Sequence, residues 1–199
     1  EVVSGQTASV ALQGRNSTKI RGHLVDWASG SAVSGLRCTA AMRASTGVLV
    51  PLNAIVGLSD ESGAFVLEDV PTGDISVLCF PATPYWTFGR TDLTVTGGQD
   101  ATRQVQVVKR DPDMPQAQIG AVIDPIATPL QFQLIAPNGP AQRAGIHPGD
   151  VLMTIDGLNA SQLTALGATV AISQRPAGST AHLGLSRGAH TITADVATQ

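Results

Sequence analysis

Residues 139–157 constrain this chain more tightly than any other stretch: Gly-Pro-Ala-Gln-Arg-Ala-Gly-Ile-His-Pro-Gly-Asp-Val-Leu-Met-Thr-Ile-Asp-Gly. Pro140 pre-sets φ for the first turn of a short helix running to Ala144, and Gly145 supplies the left-handed conformation that ends it. Pro148-Gly149-Asp150 forms a turn in which proline fixes one φ and glycine permits a positive one. Val151, Leu152, Met153 and Ile155 then read as a buried strand, which Asp156-Gly157 closes as a tight hairpin. A helix this brief cannot stand alone, so neighbouring strands must hold it.

The rest of the chain is built for equally short elements. Its 199 residues include 21 glycines and 12 prolines, with 14 % charged and 4 % aromatic residues, which suits short strands joined by tight turns and leaves room for two domains. Net charge is −3, and from residue 111 onward three basic side chains face six acidic ones. With no basic cluster to neutralise a row of phosphates, a nucleic-acid partner is not expected. No apolar run reaches bilayer-spanning length and no lipidation signal is present, so direct membrane insertion is not expected either. The chain opens on Glu1 rather than methionine, which leaves processing or a shortened chain as the two readings.

Residues 1–16 carry Val-Ser-Gly-Gln-Thr followed by alternating Val10 and Leu12, and Val95–Val107 repeats the pattern as Val-Thr-Gly-Gly-Gln-Asp with Val105 and Val107. The first segment therefore reads either as the end strand of an upstream repeat or as an ordinary first strand. Leu36, Cys38, Ala40 and Met42 define one strand face; Phe65 and Leu67, then Ile75, Val77 and Cys79, define two more. Turns at 60–63 and 71–74 separate them, and short strands at this spacing predict a β-sandwich. Gly22-x-Leu-Val-Asp, Val33-x-Gly35, the Asp60–Phe65 turn and Val70-Pro-Thr-Gly73 resemble the carboxypeptidase regulatory-like domain, a transthyretin-like or immunoglobulin-like sandwich. That resemblance implies a spacer or accessory module attached to another function.

Cys38 and Cys79 each lie on the apolar face of their own segment, outside any metal or redox spacing. A disulfide formed in an oxidising compartment is the favoured reading; two buried thiols acting as small hydrophobes is the other. Tyr85, Trp86 and Phe88 concentrate in the loop between Pro81 and Gly89. Tyr85 and Trp86 can stack on a glycan or contact a partner, although packing over the open end of the sandwich is the favoured reading.

Asp111-Pro-Asp-Met-Pro115 interrupts any strand and marks a stiff linker at 111–115, between a sandwich over 1–110 and a second domain over 116–199. The second domain resembles the PDZ family, in the bacterial style found behind periplasmic serine proteases, through the 139–157 stretch and through Gln118-Ile-Gly-Ala-Val-Ile-Asp124. There Ile119 stands where the family has a bulky apolar residue and Gly120 where it has a conformationally free glycine; the second glycine of the familiar Gly-Leu-Gly-Phe loop is absent. Leu130, Phe132 and Leu134 alternate in the next strand. Residues 160–175 read as a helix with Ser161 as N-cap and Pro176 as its stop; Leu163, Leu166 and Val170 share one stripe, and Ala165, Ala168 or Thr169, and Ile172 an adjoining one.

No zinc-ligand spacing, nucleophile elbow or phosphate-binding glycine loop occurs, and the histidines are scattered, so neither enzyme activity nor a cofactor or metal is expected. The resemblance implies a non-catalytic module of a secreted or envelope protein that binds an extended or C-terminal segment by β-augmentation at Ile119, Gly120, Ala121, Val122, Ile123, Thr169 and Ile172. Main-chain N–H groups of residues 119–122 are then expected to hold a terminal carboxylate. The competing expectations are purely structural assembly domains in a larger surface protein, and the accessory region of a protease.

Overall fold

A computed structural model describes residues 18–45, 48–114 and 116–199. The reading of residues 1–16 as a repeat lies outside them.

The first half is two facing sheets. One contains β4 (Ala64–Val70), β1 (Thr18–Asp26) and β7 (Ala101–Val107), with β1 antiparallel to β4 and parallel to β7. The other runs β3 (Leu49–Leu58), β2 (Arg37–Arg43), β5 (Gly73–Phe80), β6 (Gly89–Val95), all antiparallel. Their apolar faces meet through Ile20, Leu24, Leu67, Val105 and Val107 on one side and Cys38, Ala40, Ile75, Val77 and Cys79 on the other, all buried. Gly22 has a steric reason within that core. Its cross-strand partner is Phe65, and a Cβ at 22 would lie 1.9 Å from the Phe65 ring, so glycine makes room for the ring that fills the sheet face. Cys38 and Cys79, directly opposed on β2 and β5, form a disulfide. Met42, expected on the buried face, is 38 % exposed near the end of β2.

The second half places a four-stranded antiparallel sheet, β11 (Leu158–Asn159), β10 (Val151–Ile155), β12 (Thr180–Arg187), β13 (His190–Ala197), against a short hairpin of β8 (Ala121–Ile123) and β9 (Phe132–Ile135). Two helices complete it, α1 (Pro140–Arg143) and α2 (Ala165–Ser173). The opening stretch folds as its chemistry dictates: Pro140 begins α1, Gly145 follows it at φ 80°, and Asp156-Gly157 joins Ile155 to Leu158 as a two-residue hairpin with both φ positive.

Three details differ from the sequence expectation. The helix begins at Ala165 and not near Ala160, because Thr164 is its N-cap, its Oγ1 accepting the Gly167 N–H at 3.0 Å. Ser161 instead donates its N–H to the Asn159 side chain in the preceding turn. Leu166 consequently falls off the buried stripe and is 45 % exposed. Leu134 is 61 % exposed although Leu130 and Phe132 are buried, because a bulge between Val122 and Ile123 pairs those neighbours with Leu134 and Phe132 and breaks the period of two at Gln133.

The halves are joined by more than the segment at 111–114. Val108 belongs to the core of the second half, and the Trp27 ring, just past β1, packs against that core while its Nε1 donates to Asn159 O at 2.7 Å. Both ends of α2 are tied to the same side: Thr164 Oγ1 reaches Phe88 O, and Gln174 exchanges two hydrogen bonds with the Asp111 main chain at 2.9 and 2.7 Å. Because Trp27 is only partly buried, Trp27→Ala is expected to cost about 2 kcal/mol, below the value for a fully buried Trp. Urea unfolding followed by a probe in the second half checks this, and an unchanged midpoint there contradicts it.

Candidate functional site

One face of β8 pairs with β9, and β8 is otherwise an edge of its two-stranded sheet. The Ala136 N–H donates to Gly120 O, so Gly120 and Ala136 occupy a hydrogen-bonded position of the ladder and Val122 with Leu134 occupies the next. Alternation then turns the N–H and C=O of Ala121 and Ile123 away from β9, toward α2. Between that edge and α2 lies a cleft of about 570 Å³, within the range of ligand clefts.

All seven residues singled out in the sequence line this cleft: Ile119, Gly120, Ala121, Val122 and Ile123 from the loop and β8, Thr169 and Ile172 from α2. Ile119, Ile123 and Ile172 are nearly buried and form its apolar floor, whereas Val122 stands on its outer rim at 48 % exposure. By the same register the Val122 N–H is directed into the β8–β9 ladder and the Ala121 N–H away from β9, to the cleft side. The sequence reading did not include Leu134, Ile135 and Ala136 of the second strand, nor Ser173, which also line the cleft. Ser173 lies four residues after Thr169 on the same helical face, a spacing that identifies it once the helix bounds are right. Its hydroxyl is buried without a hydrogen-bond partner among the described residues.

The loop is held in shape from three sides. Ala141 N–H, in the first turn of α1, donates to Ile119 O at 2.8 Å; Ala117 N–H donates to Ser173 O at 2.8 Å; and Gln118 exchanges main-chain hydrogen bonds with Gln199 at 2.8 and 3.0 Å. Gly120 has φ 65°, and a Cβ there would sit 3.4 Å from Gly139 Cα and Pro140 Cδ. Gly120→Ala is therefore expected to cost about 1 kcal/mol of left-handed strain in the folded protein. Its larger consequence is weaker ligand binding, since relief of the strain moves the donors. Chemical denaturation and a peptide titration read the two effects separately; unchanged affinity contradicts the assignment of this loop to the ligand.

Two ion pairs brace the walls. Asp150, 1 % exposed, accepts from Arg187 Nε at 2.6 Å and Nη2 at 2.7 Å and from the His147 N–H at 2.8 Å, and Arg187 also donates to Gly145 O just after α1. The Arg187 hydrogen bonds, helped by the His147 N–H, hold the Asp150 carboxyl below its ordinary pKa against the opposing effect of burial. On the other wall Arg175 donates to Ile172 O and Ala171 O, satisfying carbonyls at the end of α2, and reaches Asp156 Oδ2 at 2.8 Å. Among the described residues, no charged side chain lines the cleft itself.

Elsewhere, the aromatic pair of the 81–89 loop divides: Trp86 packs on the sandwich core, and Tyr85 is 53 % exposed. The pair therefore does not present two free rings side by side. Among the described residues no cluster of His, Cys, Asp or Glu is arranged to hold a metal ion, and no helix is long and apolar enough to cross a membrane.

The family described as PDZ domain matches residues 104–198. No curated protein matches the chain. Among solved structures, similarity is found to the shaft pilin SpaA from Lactobacillus rhamnosus GG, at 12 % identity and TM-score 0.37, over 48 % of this chain and 47 % of that one. BcpA, the major pilin subunit of Bacillus cereus, is similar at 18 % identity and TM-score 0.37, over 47 % and 30 %. GBS52, a minor pilin of Streptococcus agalactiae, is similar at 15 % identity and TM-score 0.37, over 50 % and 48 %. This chain spans less than half the length of each of the three. The protein is mainly β, a two-sheet sandwich followed by a PDZ domain.

Proposed function

We propose that this protein captures the free C-terminal segment of another protein by adding it as a strand to β8. The observation that carries the reading is an edge of β8 that no other described strand pairs, preceded by a loop with Gly120 at positive φ and bordering a cleft with an apolar floor. Hydrogen bonds from the N–H groups of Ile119, Gly120 and Ala121 to a carboxylate are stronger than those to a neutral acceptor, so a free terminus is preferred over an internal segment. Ile119, Ile172 and the Thr169 methyl favour an aliphatic last side chain. The sandwich over 1–110, read as a carboxypeptidase regulatory-like accessory module, holds the PDZ domain over 116–199 at a fixed angle through Trp27 and Val108. The Cys38–Cys79 disulfide supports an oxidising, extracytoplasmic setting.

The test is a titration of Leu- or Val-ending peptides against their C-terminally amidated twins. Binding of the acid and loss of binding by the amide support capture of a terminus. Equal binding of the two removes it. A cleft found filled by the protein's own chain in solution supports the assembly role instead.

A further inference from the structure

The outer face of the sheet formed by β3, β2, β5 and β6 carries a row of side chains that the sandwich core does not use. Cys38 and Cys79 point into that core, so by the alternation of a strand their neighbours Arg37 and Phe80 point outward. Arg37 is directly opposed by Leu58 on one side and by Phe80 on the other, which sets three side chains in line across three strands. The Phe80 ring stacks on Phe88 with centroids 6.4 Å apart and extends the line toward β6. Val56, Thr39 and Leu78 form the row beside it. Leu58, Phe80 and Val56 are 66 %, 43 % and 41 % exposed, so this end of the sheet presents apolar surface to water.

At the centre of the row stands a charge without a counter-charge: among the described residues, the Arg37 side chain makes no ion pair or hydrogen bond. The charges around it are already engaged. Arg90, opposite Leu78, is held by Asp92 at 2.6 Å, and Asp60, two residues beyond Leu58, accepts from Ser62 and Ala64 in its own turn. A guanidinium is a planar fork that matches a carboxylate with two parallel hydrogen bonds, and covering its apolar neighbours removes the water that weakens the attraction. A second copy of this chain does not supply that carboxylate, because in a dimer packed symmetrically about the centre of the row Arg37 meets Arg37.

We propose that the sandwich carries a second docking surface, at Leu58, Arg37, Phe80 and Phe88, for a protein segment that presents an Asp or Glu side chain between apolar ones. Neighbouring strands lie about 4.8 Å apart, and an extended segment crossing them sets alternate side chains about 6.7 Å apart on one face. Its acid meets Arg37, and the apolar residues two positions before and after it cover Leu58 and the Phe80 ring. This surface shares no residue with the cleft and needs no free terminus, so it stands independently of the terminal-capture reading.

The probe is a peptide with Leu, Glu and Phe at alternate positions and serine between them, acetylated and amidated so that it offers no terminal carboxylate, together with a twin carrying Gln for Glu. Titrated against the full chain at low ionic strength, the Glu peptide is expected to bind about fivefold more tightly than its twin, and added salt to narrow the difference. Arg37→Gln is expected to bring the ratio to one, and Phe80→Ser to weaken both peptides; both positions are exposed, and thermal melting checks that the variants fold. In an amide correlation map the shifts are expected at Arg37, Leu58 and Phe80. No binding of either peptide, equal affinity of the two, a ratio undiminished by Arg37→Gln, or shifts confined to residues 119–123 overturns the proposal. A concentration-dependent dimer of the chain that Phe80→Ser dissolves also overturns it and gives the face to a second copy.

Discussion

Replacing Arg187 with alanine is expected to destabilise the PDZ domain by about 3 kcal/mol, because it leaves the buried Asp150 carboxylate without its counter-charge. The figure is set at the lower end of the range because Arg187 itself is 38 % exposed, and water can partly replace it. The loss reaches the site as well, since Arg187 holds the Gly145 carbonyl at the end of α1 and α1 in turn holds the Ile119 carbonyl. Acid titration provides an independent check. The folded protein depresses the pKa of Asp150 below its unfolded value, so this contribution is fully present above the unfolded value of about 4 and is lost as pH falls through the folded value. Wild type should therefore lose stability between about pH 4 and the lower folded pKa, and Asp150→Asn should lose less over the same interval. A variant at 187 with wild-type stability and an unchanged acid profile contradicts this account of the brace.

Removal of the Cys38–Cys79 disulfide should cost the sandwich about 4 kcal/mol, the loop-closure value for a sequence separation of 41. Both sulfurs lie in the core between facing strands, so Cys38→Ala with Cys79→Ala exchanges the cross-link for two small apolar groups. The comparison of this double variant with the oxidised protein, by urea unfolding, isolates the effect of the cross-link from that of a free thiol. The peptide affinity of the PDZ domain should survive, because both cysteines belong to the core of the sandwich and not to that of the second half. An unchanged unfolding midpoint would contradict the loop-closure account of the cross-link.

Much of this structure was legible because its information is local. Pro140, Gly145 and the Asp156-Gly157 pair each demand one backbone conformation, and each adopts it. Cleft residues on both walls were within reach for the same reason: the Gly120 loop and the helical spacing of Thr169 and Ile172 are properties of short segments. What was not legible depends on contacts between distant residues. The start of α2 is decided at Thr164, whose hydroxyl also reaches Phe88 in the other half of the chain. The pairing of Asp150 with Arg187 spans 37 positions, and Trp27 bonds to Asn159 across 132. Leu134 escaped because a bulge shifts the strand's alternation by one residue, and no hydrophobic pattern announces a bulge.

The most direct test of the central claim is an amide proton–nitrogen correlation map of the full chain, titrated with a free-acid peptide ending in Leu. The account predicts the largest shifts at Ile119, Gly120, Ala121 and Ile123, with a smaller change at Val122, whose N–H is already used within the hairpin. Shifts that leave these amides unmoved and cluster instead around Tyr85 or along the sandwich would contradict it.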